Sequence, residues 1–481
     1  MGFIKRSDPC RVFIESYAVC PNYMYREPKT IFITIFQGTE AKNILRTDIY
    51  KNLAAREDIR LVFFVGSKEK AEYYKKEFFG LNIIYEIVKP NVLSGLNKFF
   101  SNLSFSLLRT DTTGLRRKMD LEIDSNYTRY VYGFIFNKIL ARSWIRKIAR
   151  VLDYKLAKSS VFSEYFNKYN PSAVFLAHLF DDLEVNLLKE AKRRGVKTIG
   201  FINSWDKLTA RNIIRVLPDE LLVFNNIVKK ESMSYADMPE NKIEVVGIPQ
   251  YDWHINYKPL SRKDFFGRKN LDLNKKLIVY APMGKAYSDS DWEIIDLLQN
   301  SIEDGKIKNS QLLVRFQPND FVDKEEIEKR RWLIYDMPGI RFSKDRGVDW
   351  DMSFEDIKGL TDTLANTDLF ICYASSMSID AAVFDKPIIN IDFEIGSKKP
   401  MIKSPTHFYK MSHYQKAVKT GGICYPKSEV DFIDCVNSYL NDPGINRLGR
   451  KRLVSEQCWR LDGKSGERVA NFILSYINNK I

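Results

Sequence analysis

The chain has 481 residues, of which 44% are hydrophobic and 28% are charged, and its formal net charge is +14. This composition is typical of globular domains with their own cores, and the length predicts two or three such domains. No apolar run reaches the roughly 18 residues that span a bilayer, and no zinc-finger, RNP or heptad pattern indicates nucleic-acid binding.

The first half of the chain reads as alternating strands and helices. After an irregular segment at 1–28, this alternation resembles a βαβαβ run and predicts a parallel, doubly wound sheet. The predicted strands lie at 29–36, 61–65, 83–88, 173–177, 198–202 and 220–223. The predicted helices lie at 41–55 and 182–194, and a further charged helix between the second and third strands ends at Phe79.

A basic, aromatic segment at about 94–165 interrupts this pattern as a helical insert. From Lys98 to Lys158 it holds 13 Lys or Arg and 5 Asp or Glu. Such a composition suits a helix lying on an anionic bilayer, so residues 126–158 predict peripheral contact with a membrane. A solvated helix face over the core is the alternative. The cations that recur at helical spacing are Arg142, Arg146, Lys147 and Arg150.

A second alternating half follows a polar stretch at 254–276. Together the halves predict an α/β protein with two Rossmann-like, doubly wound parallel-sheet domains that face a cleft, at 1–257 and 258–455. Ligands of such sheets bind beyond the carboxyl ends of the strands. The predicted strands lie at 277–280, 311–316, 369–373 and 388–391, and the helices lie at 291–303, 324–335, 430–440 and 466–477.

Three strand ends of the second half carry groups that suit a diphosphate. A Ser-rich turn follows the strand at 369–373, and free N–H groups at a helix N-terminus bind anions, although the serines also suit simple helix caps. An arginine inside an apolar strand must face either a phosphate or a carboxylate. The candidates are Gly284, Lys285, Arg315, Ser375, Ser376, Ser378 and, for the ribose hydroxyls, Asp380.

The strand ends of the first half carry candidates for acid–base chemistry. Ser204, Trp205 and Asp206 follow one strand, where an indole can stack on a sugar and a carboxylate can act as a base. Glu40 and His178 follow two other strands and are the further candidate bases. Helix capping, core packing and a helix-dipole contact are the alternative interpretations of these residues.

Several common catalytic motifs are absent from the sequence. It contains no GxSxG, GxGxxG or Walker motif, which argues against hydrolase, dehydrogenase and P-loop readings. The six cysteines include no CxxC pair and there are four histidines. The first residues lack the apolar core of a signal peptide. We therefore expect a cytoplasmic protein without a structural zinc or a His-rich metal centre.

An ordered series of motifs resembles that of bacterial GT-B glycosyltransferases of the capsule and surface-polysaccharide type, which are related to CDP-glycerol transferases. At Gln317 the usual histidine is replaced. The series comprises Ser204 to Thr209, Pro218-Asp219, Phe224-Asn225, Val246 to Asp252, Arg315 to Pro318, Ser375 to Ala382, Asp385 to Pro387, His413-Tyr414 and Asp462 to Arg468.

The resemblance implies a nucleotide-sugar donor in the second domain and a glycan or lipid-linked glycan acceptor in the first. It also implies that 456–481 return as a helix toward the first domain and that His413 contacts a sugar or acceptor. The nucleotide-sugar is a substrate, so no cofactor is implied, and basic groups can replace a metal. Position 388 is Ile, so the E-x7-E pattern of many retaining enzymes is missing and an inverting mechanism is favoured.

Three other functions fit the same fold. Glycerol- or ribitol-phosphate transfer from a CDP-alcohol is one, and Gln317 weighs against it. A sugar-nucleotide 2-epimerase would need no acceptor, and a non-catalytic partner subunit would bind nucleotide without turnover. The leading prediction is a glycosyltransferase of cell-surface glycan synthesis, located in the cytoplasm or at the inner face of the membrane.

Overall fold

Two parallel sheets organise the chain. The computed structural model describes residues 27–89, 95–342, 350–396 and 399–479, so nearly all of the predicted irregular segment at 1–28 lies outside the described residues. The first sheet has seven strands: β1 (Lys29–Ile35), β2 (Ile59–Val65), β3 (Ile83–Ile87), β4 (Ala173–Leu176), β5 (Lys197–Phe201), β6 (Glu220–Val223) and β7 (Ile243–Val245).

All seven strands run parallel in the order β3-β2-β1-β4-β5-β6-β7. In register, Ile33 on β1 lies between Phe63 and Phe175, and all three side chains are buried. Burial on both faces explains why these strands read as continuous apolar runs. The helices of this half are α1 (Gly38–Ile44), α2 (Asp48–Ala54), α3 (Lys68–Glu77), α4 (Gly95–Ser106), α5 (Asp111–Asp124), α6 (Tyr127–Leu140), α7 (Ser143–Leu156), α8 (Ser163–Tyr169), α9 (Asp182–Arg193), α10 (Lys207–Ala210), α11 (Asn226–Ala236) and α12 (Asp252–Asn256).

The second sheet has five parallel strands in the order β10-β9-β8-β13-β14, and a two-stranded antiparallel ribbon joins β11 to β12. The strands are β8 (Lys276–Ala281), β9 (Ser310–Arg315), β10 (Tyr335–Asp336), β11 (Ile340–Arg341), β12 (Trp350–Asp351), β13 (Leu369–Cys372) and β14 (Ile388–Asn390). The helices are α13 (Arg262–Lys269), α14 (Asp291–Glu303), α15 (Lys324–Lys329), α16 (Phe354–Asn366), α17 (Met377–Val383), α18 (Ser412–Val418), α19 (Glu429–Asn441), α20 (Arg447–Cys458) and α21 (Ser465–Ile477).

The predicted fold class is therefore confirmed, with two parallel-sheet α/β domains and a helical insert, α4 to α8, between β3 and β4. Two predicted helices differ. The helix at 41–55 divides into α1 and α2, because Thr47 caps α2 by accepting from the Ile49 N–H at 3.3 Å. The helix at 324–335 ends at Lys329, and Tyr335 instead pairs with β9 as strand β10.

The last helix, α21, packs on α2 of the first domain. Val469, Ala470 and Ile473 of this helix are fully buried within a core that also contains Ile49 and Leu53. The Asp252 carboxylate caps α21 by accepting from the Ser465 and Gly466 N–H groups at 3.0 and 2.7 Å. The chain end thus completes the N-terminal domain and ties it to the segment that joins the two domains.

Candidate active site

The carboxyl ends of β1, β4 and β5 bring together a buried group of ionisable side chains. Glu40 lies in the first turn of α1, where its Oε2 accepts from the Phe36 and Gln37 N–H groups at 2.5 and 3.0 Å. The side chain is fully buried, and burial raises its pKa to about 8, with a further contribution from Asp181. Glu40 therefore exchanges its proton near neutral pH.

Glu184 on α9 is a second buried acid, close enough to Glu40 for their charges to interact. Its Oε1 accepts from the Thr34 hydroxyl at 2.6 Å, and its Oε2 accepts from the His178 N–H at 2.7 Å. Burial and the nearby Glu40 raise the pKa of Glu184 well above its ordinary value. Sequence reasoning missed this residue, although a Glu between Leu183 and Val185 near the start of α9 was a usable signal.

His178 contacts a lysine that the sequence placed in the same loop motif as Asp206. Lys207 Nζ lies 2.6 Å from His178 Nε2, and both side chains are buried. Burial and the Lys207 charge lower the pKa of His178 well below its ordinary value. Because an ammonium group can only donate, Nε2 accepts and the neutral ring carries its proton on Nδ1.

Asp206 and Trp205 reach the other domain across the cleft. Burial alone would raise the pKa of Asp206, but Lys207 and His413 lower it to about 2. The Asp206 Oδ1 atom accepts from the Ser204 hydroxyl at 2.5 Å. The Trp205 ring packs edge-on against His413 at 5.1 Å and Tyr414 at 5.4 Å. The structure thus gathers the predicted residues Ser204, Trp205, Asp206 and His413 at one place.

Four buried polar atoms of this region have no hydrogen-bond partner among the described residues. Such atoms cost free energy unless water or a ligand meets them, and each one demands an explanation. Here they lie beyond the carboxyl ends of the strands, where doubly wound sheets bind ligands. They are Glu40 Oε1, His178 Nδ1, Asn203 Nδ2 and His413 Nδ1.

The predicted phosphate contact at the end of β8 has partners from the chain itself. Gly284, at φ +87°, donates its N–H to Asp291 Oδ2 at 2.8 Å. Lys285 is exposed and lines a cavity of about 210 Å³ whose other charged residues are all acidic. A phosphate there would meet carboxylates, which weighs against the role predicted for Gly284 and Lys285. These acids are Asp289, Asp291, Asp320, Asp323 and Glu326.

Arg315 at the end of β9 forms an ion pair within its own domain. Its guanidinium lies 3.1 Å from Asp336 Oδ2 and donates to the Asp356 carbonyl at 3.2 Å. The sequence predicted either a phosphate or a carboxylate as the partner of Arg315, and the structure shows a carboxylate. Lys42 of α1 also lies at the cleft. Burial lowers the pKa of Lys42 and Arg315 adds to this effect, whereas Asp380 opposes it only in part. Lys42 was missed by sequence reasoning.

The Ser-rich turn divides into two parts. The Ser378 hydroxyl is buried and lies 3.2 Å from both Asn390 Oδ1 and the Tyr414 hydroxyl, so it supports the fold. Ser375 accepts from the Met377 N–H at 3.3 Å, and Ser376 is exposed. Ser375 and Ser376 therefore remain the donor-side candidates of the turn.

Asp380 connects the two domains. Its carboxylate accepts from the Tyr251 hydroxyl at 2.9 Å, and its other oxygen lies 2.9 Å from His254 Nε2. Both oxygens therefore have partners from the chain, and the predicted contact with ribose hydroxyls stays a prediction. No group of three or more His, Cys, Asp or Glu side chains in the described ranges is arranged to hold a metal ion.

The fold is similar to that of several solved enzymes at low sequence identity. One is the UDP-GlcNAc 2-epimerase from Neisseria meningitidis bound to UDP-GlcNAc, at TM-score 0.51 and 10% identity, covering 94% of this chain and 100% of that chain. S. aureus MnaA, solved with UDP, has TM-score 0.50 and 13% identity over 94% and 97% of the two chains.

The wall teichoic acid polymerase TagF is a third similar structure, at TM-score 0.50 and 14% identity over 94% of this chain and 90% of that chain. No protein-family model and no curated protein matches the sequence. At these identities the likeness shows the fold alone. The chain has two facing α/β domains of the GT-B type, and its reaction must be argued from the site.

Proposed function

We propose that the chain is a glycosyltransferase that moves a sugar from a nucleotide-sugar to a glycan or lipid-linked glycan acceptor of the cell envelope. The supporting observation is the set of buried atoms without partners at the carboxyl ends of the first sheet, beside the Trp205–His413 contact between the domains. A polar ligand that fills this place would meet an acid, a neutral imidazole and an indole face together.

Glu40 is the favoured base in this scheme. A general base works best when its pKa lies near the working pH, and the pKa of Glu40 is about 8 whereas that of Asp206 is about 2. Glu40 removes the acceptor hydroxyl proton while the oxygen attacks the anomeric carbon. The bond from that carbon to the diphosphate breaks in the same step, which inverts the configuration.

The remaining groups have positioning and electrostatic roles. Asp206 stays ionised and balances the positive charge of Lys207. The His178 Nδ1–H donates a hydrogen bond to the acceptor. The leaving diphosphate is stabilised by Lys42 and by the turn at Ser375 and Ser376. Fixed donors aimed at developing charge supply a large part of catalysis in such sites, and this scheme uses no metal.

A sugar-nucleotide 2-epimerase is the second candidate. It is favoured by the two buried carboxyls of Glu40 and Glu184, because one protonated and one ionised carboxyl supply an acid and a base on the same side of the cleft. An epimerase would return an isomerised nucleotide-sugar without releasing the nucleotide.

The test measures nucleotide release from UDP-, GDP-, CDP- and dTDP-sugars with an envelope glycolipid extract as acceptor. We expect one donor to be consumed in an acceptor-dependent way, and Glu40→Gln to lower kcat by about 10²- to 10⁴-fold. The thermal shift caused by the matching nucleoside diphosphate should persist in this variant.

Glu240→Gln is the matched control, because the Glu240 side chain is 65% exposed. Wild-type turnover in Glu40→Gln would contradict the role of this base. An epimerised donor without nucleotide release would support the second candidate, and the lack of any nucleotide-induced shift would overturn the donor site.

A further inference from the structure

The insert carries an unusual concentration of exposed apolar side chains on helices α6 and α7. We call the surface that they form the outer face of α6 and α7. These side chains are each 44–70% exposed, and 12 of the 31 exposed large hydrophobic residues of the described chain lie here. Large contiguous apolar patches mark sites of interaction. The outer face comprises Tyr127, Val131, Tyr132, Phe134, Ile135, Phe136, Ile139, Trp144, Ile148, Val151, Leu152 and Leu156.

Helix α7 buries three of its five charged side chains, Arg146, Arg150 and Asp153, and exposes most of its large apolar side chains. Arg146 and Arg150 are buried and pair with Asp237 at 2.6 and 2.7 Å. Asp153, also buried, pairs with Lys189 and Arg215 at 2.6 and 2.8 Å. Two of the four cations that recur at helical spacing therefore hold the helix to the protein.

Helix α6 buries very little against the protein. Of its 14 residues only Asn137 is buried, where its amide donates to the Ser106 and Leu108 carbonyls at 2.7 Å. Helices are stabilised mainly by packing an apolar face, so a helix with this composition requires another apolar phase to cover it.

Within residues 127–158 the exposed charged side chains are all positive, and one of them, Arg129, pairs with Asp124 just before α6. Residues 127–158 contain a single acid, Asp153, and it is buried. A two-fold dimer through this face would place like charges opposite one another, because each patch contacts its own copy. An anionic surface is complementary to them. The exposed cations are Arg129, Lys138, Arg142, Lys147, Lys155 and Lys158.

We propose that the outer face of α6 and α7 lies in the interface of an anionic lipid bilayer, with the apolar side chains among the acyl chains and the cations at the headgroups. Amphipathic helices with apolar and aromatic residues on one side and Lys or Arg beside them bind membranes in this way. No helix in the described ranges is long and apolar enough to cross a membrane, so the attachment is peripheral.

The insert also connects this surface to the cleft. Helix α5 precedes α6, and its Leu115 and Met119 pack with Ala374 and Tyr414 at the donor-side turn. The Ser412 N–H donates to the Thr112 hydroxyl at 2.9 Å. A helix of 14 residues spans about 21 Å, so α5 connects the donor-side turn to the start of α6 over at most that length. Resting on the proposed function, this geometry assigns a lipid-anchored acceptor.

The test is co-flotation of the full chain with vesicles of phosphatidylcholine containing about one third phosphatidylglycerol. We expect binding that weakens at high salt and on pure phosphatidylcholine, since screening removes the electrostatic part. Trp144→Glu with Ile148→Glu should reduce binding at least tenfold without changing Tm. The matched control is Val430→Glu with Leu448→Glu, whose side chains are 74% and 76% exposed elsewhere.

Two results would overturn this proposal. One is a flotation result in which the Trp144/Ile148 variant binds vesicles as well as the control does, or in which the wild type does not bind vesicles. The other is a dimer in light scattering that the Trp144/Ile148 variant dissociates while vesicles bind neither form. Because flotation needs no donor, membrane binding without turnover would contradict the proposed function alone.

Discussion

Glu40 and Glu184 show how residue-level burial controls a proton. Each carboxyl keeps its proton in the folded chain at a pH where the unfolded chain has released it. The folded state thus binds more protons, so the free energy of unfolding falls as the pH rises from about 4.5 to about 8. For Glu40 the loss is up to about 5 kcal/mol.

We therefore expect the Tm of the wild type to fall between pH 5 and pH 8, and this fall to be smaller in Glu40→Gln and Glu184→Gln. Differential scanning fluorimetry across this range measures both. The exposed Glu240→Gln should follow the wild type. A wild-type Tm that rises over the same range, with both variants parallel to it, would contradict the raised pKa values.

At the same scale, the sequence predicted which candidate residues lie at the same edge of the sheet, but it did not predict their hydrogen-bond partners. Glu40, His178 and Asp206 were found because each follows a strand, and parallel strands place their carboxyl ends at one edge. Glu184, on the helix after β4, and the Lys207–His178 contact depend on side-chain directions across neighbouring strands. Only the folded coordinates supply those directions.

The attachment of α7 to the protein is the clearest element-level feature. Asp237, at the end of α11, is the shared partner of Arg146 and Arg150. Asp237→Ala leaves both guanidinium groups buried without this carboxylate, and losing one partner of a buried pair costs about 3–5 kcal/mol. Urea denaturation followed by circular dichroism measures the difference.

Asp124→Ala is the control for this change, because its partner Arg129 is 70% exposed and such pairs contribute under about 1 kcal/mol. Equal effects of the two substitutions would show that Asp237 does not hold α7. If Asp237→Ala also stops binding vesicles, the reason would be that α7 has moved, because the side chains of the outer face are unchanged in this variant.

Element boundaries were predictable where apolar runs were long and failed where a single side chain decided them. The strands β1, β8 and β13 were identified within one or two residues from their buried apolar runs. Thr47, by contrast, divides α1 from α2 through one hydroxyl, and periodicity does not show such a cap. Helical spacing also does not say which face of α7 meets the protein, so the inward direction of Arg146 and Arg150 was not predictable.

At the scale of the whole molecule, one buried arginine joins the domains. Arg46 of α1–α2 pairs with Asp351 of β12, and both side chains are fully buried. The guanidinium also lies 5.1 Å from the rings of Phe78 in the first domain and Phe354 in the second. Arg46 thus fixes the relative position of the two halves through charge and ring contacts together.

Arg46→Ala should lower the free energy of unfolding by about 3–5 kcal/mol, since it leaves Asp351 buried without its cation. It should also let the domains separate, which increases the radius of gyration in small-angle X-ray scattering. Arg56→Ala removes an exposed pair with Asp58 and is the control. An unchanged radius and stability in Arg46→Ala would show that the domain arrangement does not depend on this contact.

The return of α21 to α2 has a consequence for how the chain is made. The last strand of the first sheet ends at Val245, yet the core on one face of that sheet stays incomplete until Val469 and Ile473 have left the ribosome. At 5–20 residues per second the intervening segment takes roughly 10–40 s to synthesise. During that interval the side chains that cover α2 in the folded chain are missing, so the nascent first domain exposes the apolar surface of α2.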